Sequence, residues 1–156
     1  MAVIHLTTFI NAPVERCFDL SRSIDLHQKS TSASNERAIA GVTKGLIKKG
    51  ESVTWRARHL GVEQNLTVEI TEMIFPSYFE DRMVRGAFKS MFHSHMFFPK
   101  DGGTMMKDLF EFESPLGPLG TIVNGLFLTG YMTRFLEERN AAIKATAESE
   151  DWKQYI

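Results

Sequence analysis

The chain has 156 residues, 43% of them apolar and 24% charged, with a formal net charge of −1; this balance suits one globular domain able to bury a core. No region gathers enough Lys and Arg to track a phosphate backbone, the densest being "TKGLIKKG" at residues 43–50, so no nucleic-acid partner is expected. The single cysteine, Cys17, excludes an internal disulfide and a multi-cysteine metal knuckle.

The opening "MAVIHLTTFI" lacks a basic region and a small-residue cleavage pattern, and the longest apolar stretch, "TIVNGLFLTGYM", is interrupted by Asn124 and too short to span a bilayer. A cytoplasmic protein without stable membrane insertion is expected. Alternation in "IHLTTFI" predicts a first strand over residues 3–10. Asn11 as a cap and Pro13 in a first turn predict a short helix over 13–20. A second short helix is expected over 24–29, and "STSASN" reads as a polar loop. From Glu36 the pattern alternates strand and turn: "ERAIAGV", "ESVTWRARHL", "VEQNLTVEITEMIF", "YFEDRMVRGAF", "KSMFHSHMFFP" and "TMMKDLFEFE". The "KDGG" before the last of these is a hairpin signal, because Asp-Gly supplies the positive φ angles of a tight turn. Seven strands joined by short turns make a meandering antiparallel sheet.

After "SPLGPLG" the period becomes helical up to residue 147, with Leu119, Ile122, Val123, Leu126, Phe127, Gly130, Leu136 and Ile143 near one stripe. Gly120, Gly125 and Gly130 would serve close packing or a bend. Residues 148–156 read as a loose tail, whose Trp152 and Tyr155 either cap the domain or contact a second chain, leaving a homodimer open. The expected class is α+β, in the order β-α-α-β6-α, with one domain over residues 1–147. A curved sheet cannot bury its inner face on two short helices, so the long helix must lie across it and leave a space between.

Side chains alternate along a strand, so apolar positions mark each inward face. That rule turns Trp55 and His59 inward on one strand and Gln64 and Leu66 on the next. It gives Asp81, Met83 and Arg85 on the third, and Met106, Asp108 and Phe110 on the last. In "FHSHMFF" the choice is open: His93, His95 and Phe97 share one face, Phe92, Ser94, Met96 and Phe98 the other, and hydrophobicity alone would turn the histidines out. His5 opposes Ile4 and Leu6 and is expected at the surface, His27 shows no partner, and Cys17 reads as a core residue.

"INAPVERCF", "VTWRARHLGV", "MVRGAFKSMFHSHMFFPKDGGTMMKD" and the "PLGPLG" entry to a terminal helix together resemble the START-like, Bet v 1-like superfamily. This includes the polyketide cyclase/dehydrase and lipid-transport group, often called SRPBCC domains. The resemblance covers residues 3–147, in particular to bacterial stand-alone members with a "W-x-A-x-H" strand and an "H-x-H" strand. It implies a helix-grip fold around a cavity, and no single activity. Residues alternating with the two histidines are often charged in such members, which implies that His93 and His95 face inward, although Ser94 and Met96 hold those positions here.

The expected cavity residues are then Trp55, His59, Gln64, Asp81, Met83, Arg85, His93, His95, Phe97, Met106, Asp108, Phe110, Leu126 and Phe127. Twelve Phe and eight Met read first as a bulky core and, more sharply, as an adaptable pocket lining. Inward polar groups without partners are costly, which leaves three readings of the cluster. It is a structural network of Asp81 and Asp108 with the histidines and Arg85, or a polar floor orienting a ligand, or a metal site with His93 and His95 two apart and Asp81, Asp108 or His59 as third ligand. As catalytic candidates, His93, His95 and Asp108 form a His–Asp acid/base pair suited to cyclisation, dehydration or ester hydrolysis. The leading expectation is binding of a hydrophobic small molecule without a resident cofactor or metal. A cyclase/dehydrase- or hydrolase-type enzyme is the alternative. The loops at residues 44–48 and 114–120 are candidate gates.

Overall fold

The computed structural model describes residues 1–115 and 118–156, with the side chains of 118–124 left undescribed. The elements run β1 (Ala2–Ile10), α1 (Val14–Ser21), α2 (Ile24–Ser30), a 3-10 turn (Ser32–Ser34), β2 (Arg37–Gly41), β3 (Ser52–His59), β4 (Val62–Ile74), β5 (Tyr78–Arg85), β6 (Ser90–Lys100), β7 (Gly103–Glu113) and α3 (Pro118–Ala147), followed by a 3-10 turn over Glu150–Gln154. The strands form one antiparallel sheet in the order β1-β7-β6-β5-β4-β3-β2. Thus β1 closes against β7, and the rest is the expected meander. At the β6–β7 hairpin Asp101 and Gly102 have φ of 51° and 79°, as the Asp-Gly signal requires.

The core lies between the sheet's inner face and the helices. Val53, Trp55, Val68, Ile70, Phe79, Phe97, Met106, Phe110 and Phe112 are buried on that face, together with Met132, Leu136 and Ile143 of α3. Phe18 of α1 meets the rings of Phe79 and Phe97 edge-on at 5.4 Å each. Cys17 is fully buried in the same cluster, and burial pushes its thiol pKa up, which fits a core role.

Several expectations are corrected. Pro13 occupies the N-cap position of α1, and Asn11 instead donates its backbone N–H to Glu148 across the domain. The "STSASN" segment holds a 3-10 turn with Thr31 and Ser34 buried. The inward stripe of α3 is Met132, Leu136, Arg139, Asn140, Ile143 and Ala147, whereas Leu126 and Phe127 are exposed. Apolar residues in the helix's first half suggested the wrong phase; Leu119, Ile122 and Val123 lie outside the described side chains. A Cβ at Gly125 or Gly130 would meet open space, so close packing is not their role. Gly120 also falls outside the described side chains.

Arg85 is exposed rather than inward. Val68 pairs with Met83 but Thr67 pairs with Arg85, so the register slips at Val84 and carries Arg85 beside an outward residue. The C-terminal segment is ordered, not loose. Trp152 lies 4.2 Å from the Arg16 guanidinium on α1, and Tyr155 lies 5.7 Å from the Lys29 ammonium on α2. It caps the two short helices. Among the described residues, no helix is long and apolar enough to cross a membrane.

Candidate functional site

Register brings the two histidines to carboxylates on both flanking strands. His95 stands opposite Asp108 of β7, and His93 opposite Asp81 of β5. The hydrogen bonds run along the diagonals, which long side chains can reach. His93 Nε2 donates to Asp108 Oδ1 at 2.9 Å, and His95 Nε2 donates to Asp81 Oδ1 at 3.1 Å. The two imidazoles are 3.8 Å apart, and His95 stacks on Phe79 at 4.1 Å. Both histidines face inward, as the resemblance implies and hydrophobicity alone does not.

The α3 helix completes the cluster. Asn140 donates to Asp108 Oδ2 at 2.7 Å, and Arg139 lies 3.7 Å from Asp108 Oδ1 while donating to the Ser21 carbonyl at 3.1 Å. His95 Nδ1 lies 3.1 Å from Asp108 but is misaligned and forms no hydrogen bond among the described residues. Burial, reinforced by the neighbouring His95, pushes the His93 pKa down to about 4 despite the Asp108 carboxylate. Burial alone would raise Asp108, but the His93 hydrogen bond and both imidazoles hold its carboxyl well below the usual range. Asp81 behaves likewise: burial opposes, and His95, His93 and Arg139 lower its pKa.

Two adjoining chambers lie beside this cluster and share part of their walls. The inner one, about 110 Å³, is lined by Asp81, His93, His95, Arg139, Phe79, Met91 and Phe110 among others. The outer one, about 440 Å³, is bounded by Ala57, His59, Gln64, Tyr131, Phe127 and Pro115 among others. They meet at Glu36, Trp55, Leu66, Phe88, Met132 and Phe135, which line both. Together they fall within the usual size of a small-molecule site.

Of the expected cavity residues, Trp55, Asp81, His93, His95 and Phe110 line the inner chamber, and Trp55, His59, Gln64 and Phe127 the outer. Asp108 stands behind the histidines and orients them. Phe97 and Met106 are covered by α1, through Phe18 and through Ser21 Oγ at 3.5 Å from the Met106 sulfur. Met83 and Arg85 line neither chamber, and Leu126 borders a separate surface pocket beside Arg58 and Arg134. His59 is not gathered with the histidine pair; it hydrogen-bonds with the Tyr131 hydroxyl at 2.7 Å in the outer chamber, and burial lowers its pKa.

His27, without a visible partner in the sequence, donates to Glu36 at 2.9 Å and packs on Trp55 at 4.2 Å. Glu36, Arg139 and Asn140 were missed altogether. A signal existed for the last two: they sit at helical spacing between the buried Leu136 and Ile143. The loop at residues 44–48 is tied to the helices by hydrogen bonds from Ile24 to the Gly45 carbonyl and from Gly45 to Asp25. Ser114 and Pro115 border the outer chamber, while the rest of the second candidate gate lies outside the described side chains.

Asp81, His93 and His95 place one ligand atom each within 4.8 Å of one another, a group able to hold a metal ion. Each Nε2 already donates to a carboxylate, so ligation through it would cost those bonds.

No family model matches the sequence, and no curated protein matches it. Solved structures do. A START superfamily protein from Mycobacterium smegmatis superposes with a TM-score of 0.71 at 11% identity, covering 94% of this chain and 97% of that one. Ginseng major latex-like protein 151 from Panax ginseng gives 0.68 at 17% identity, covering 95% and 98%. A protein from Thermus thermophilus gives 0.72 at 15% identity, covering 94% and 99%. The curved seven-stranded sheet gripping α3 is therefore the helix-grip fold that these solved structures share, matched over 94–95% of this chain.

Proposed function

We propose that the protein binds a hydrophobic small molecule, lipid-, isoprenoid- or polyketide-like, in the paired chambers between the sheet and α3. One observation carries this reading: two chambers with largely apolar walls meet at a neck and end on a polar floor of Asp81, His93 and His95. The apolar walls supply affinity at about 25 cal/mol per Å² buried, and the floor orients a polar group. The test is an apolar fluorophore whose emission rises on binding, read against Leu66→Trp, which fills the neck, with circular dichroism to confirm folding. Enhancement by wild type that is lost in the folded variant supports the reading; equal enhancement by both overturns it. Native mass spectrometry with elemental analysis then reads any retained organic mass or metal.

A second reading has its own observation. His93 bonds a buried carboxylate that Asn140 also holds, which is the arrangement of a cyclase/dehydrase- or hydrolase-type acid/base pair. It requires turnover of a bound compound that His93→Gln abolishes while binding persists.

A further inference from the structure

Among the described residues, Glu36 is the one carboxylate in the cavity wall that reaches both chambers. It precedes β2, after Asn35 turns the chain with a left-handed φ of 52°, and its residue is only 7% exposed. Oε1 accepts from His27. Oε2 is buried and has no hydrogen-bond partner among the described residues. Of the residues that share the neck with it, Trp55, Leu66, Phe88, Met132 and Phe135, only Trp55 has a side-chain N–H, and it makes no hydrogen bond to Oε2. Buried acceptors are rarely left in this state, because losing water without a replacement partner is costly.

We infer that Glu36 Oε2 is the acceptor that selects the ligand: an otherwise apolar molecule carrying a hydrogen-bond donor, a hydroxyl or an ammonium, placed at the neck. This deepens the binding function proposed above and rests on it. A donor at that point satisfies the orphan oxygen while the ligand's apolar body fills the outer chamber. A carboxylate there sets two acceptors of like charge side by side in an apolar wall, which repels. Discrimination of this kind, built on a buried polar group paired by one ligand and left unpaired by another, is stronger than apolar contact alone can give. Long-chain acids are therefore disfavoured, and alcohols, phenols and amines are preferred.

The experiment uses three probes with the same ten-carbon chain, decan-1-ol, decylamine and decanoate, each competing at pH 7 against the apolar fluorophore. Wild type is expected to prefer the alcohol and the amine over the acid by about tenfold or more. Glu36→Gln keeps the size of the side chain and offers its carbonyl to His27, so its amide N–H turns to the neck and presents a donor. That variant should lose the preference for donors and bind decanoate at least as well as the alcohol, with circular dichroism confirming that it folds. Glu36→Leu controls for shape and should bind the alcohol and the acid without distinction. Equal affinities of wild type for alcohol and acid, with the fluorophore still bound, overturn the selection by Glu36 and leave the binding function standing. Failure of wild type to bind the fluorophore or any of the three probes overturns both.

Discussion

The two polar clusters of the cavity are built in opposite ways. At the floor, Asp108 is met by His93, Asn140 and Arg139, and Asp81 by His95, so both carboxylates are paired within the protein and the one buried atom left unpaired there, among the described residues, is His95 Nδ1. At the neck, Glu36 meets His27 alone and keeps an oxygen unpaired among the described residues. Inward polar residues are thus not equivalent marks of a ligand site. A densely paired cluster ties three strands to a helix, and among the described residues only the buried His95 Nδ1 is left there to meet a polar group of a ligand. An acceptor left unpaired in an apolar wall is where a ligand's own polar group is rewarded.

The contrast breaks most sharply at Asp108. Asp108→Ala leaves His93, Asn140 and Arg139 buried without their common acceptor, and removing one partner of a buried charged pair costs about 3–5 kcal/mol. Urea unfolding of the variant should show that loss. A change below about 1 kcal/mol, as for an exposed pair, would mean that the floor does not hold the fold together.

Acid sharpens the same point. The folded pKa of His93, about 4, lies below the 6.5 of a free ring. Above pH 6.5 the ring is neutral in both states, and between 6.5 and 4 only the unfolded chain takes up the proton. Stability should therefore fall across that window by on the order of 3 kcal/mol, and this contribution levels off below it. His59, also lowered by burial, adds in the same direction. Asp81 and Asp108, lowered in the fold, contribute stability that is lost only as pH falls below the ordinary carboxylate value of 3.8. Urea midpoints from pH 7.5 to 4 should show the decline, and His93→Gln should remove most of it. An unchanged slope in that variant would assign the titration elsewhere.

How much of this was legible in the sequence follows from the same physics. The strands, the meander from β2 to β7 and the β6–β7 turn were readable because alternation and Asp-Gly are local signals. The closure of β1 on β7, by contrast, joins the first strand in the chain to the last and leaves no local mark. The phase of β6 was not, because its outward residues are also apolar. Phe92 lies under the Arg82 guanidinium at 4.3 Å and Phe98 near the Lys107 ammonium at 5.7 Å, so cations on neighbouring strands shield the aromatics that face out. Arg85 was misplaced by a register slip that leaves no mark in the pattern. The pairing of His27 with Glu36 depends on an intervening 3-10 turn, and nothing in the spacing of nine residues announces it.

The C-terminal cap is a milder test, outside both clusters. If Trp152 holds the end of the chain against Arg16, Trp152→Ala should cost about 1–2 kcal/mol in thermal unfolding, from the cation–π contact and lost packing. A loose tail would leave stability within about 0.5 kcal/mol.

The smallest effect is expected at Tyr131, and it bears most directly on why the two clusters differ. Tyr131→Phe removes a single neutral hydrogen bond from His59, whereas a change at Asp108 removes a charged acceptor from His93, Asn140 and Arg139 together. Both the chemistry and the surroundings differ. His59 and Tyr131 border the larger outer chamber and are only partly buried, so water can take the place of the hydroxyl, and the cost should stay near ~0.5–1 kcal/mol. His93 is 6% exposed and Asp108 2%, and there a lost partner is not replaced. A loss at Tyr131 as large as that at Asp108 would make the outer chamber as dry as the floor. The unpaired oxygen of Glu36 would then lie still deeper in an apolar medium, and the donor that satisfies it would be worth correspondingly more.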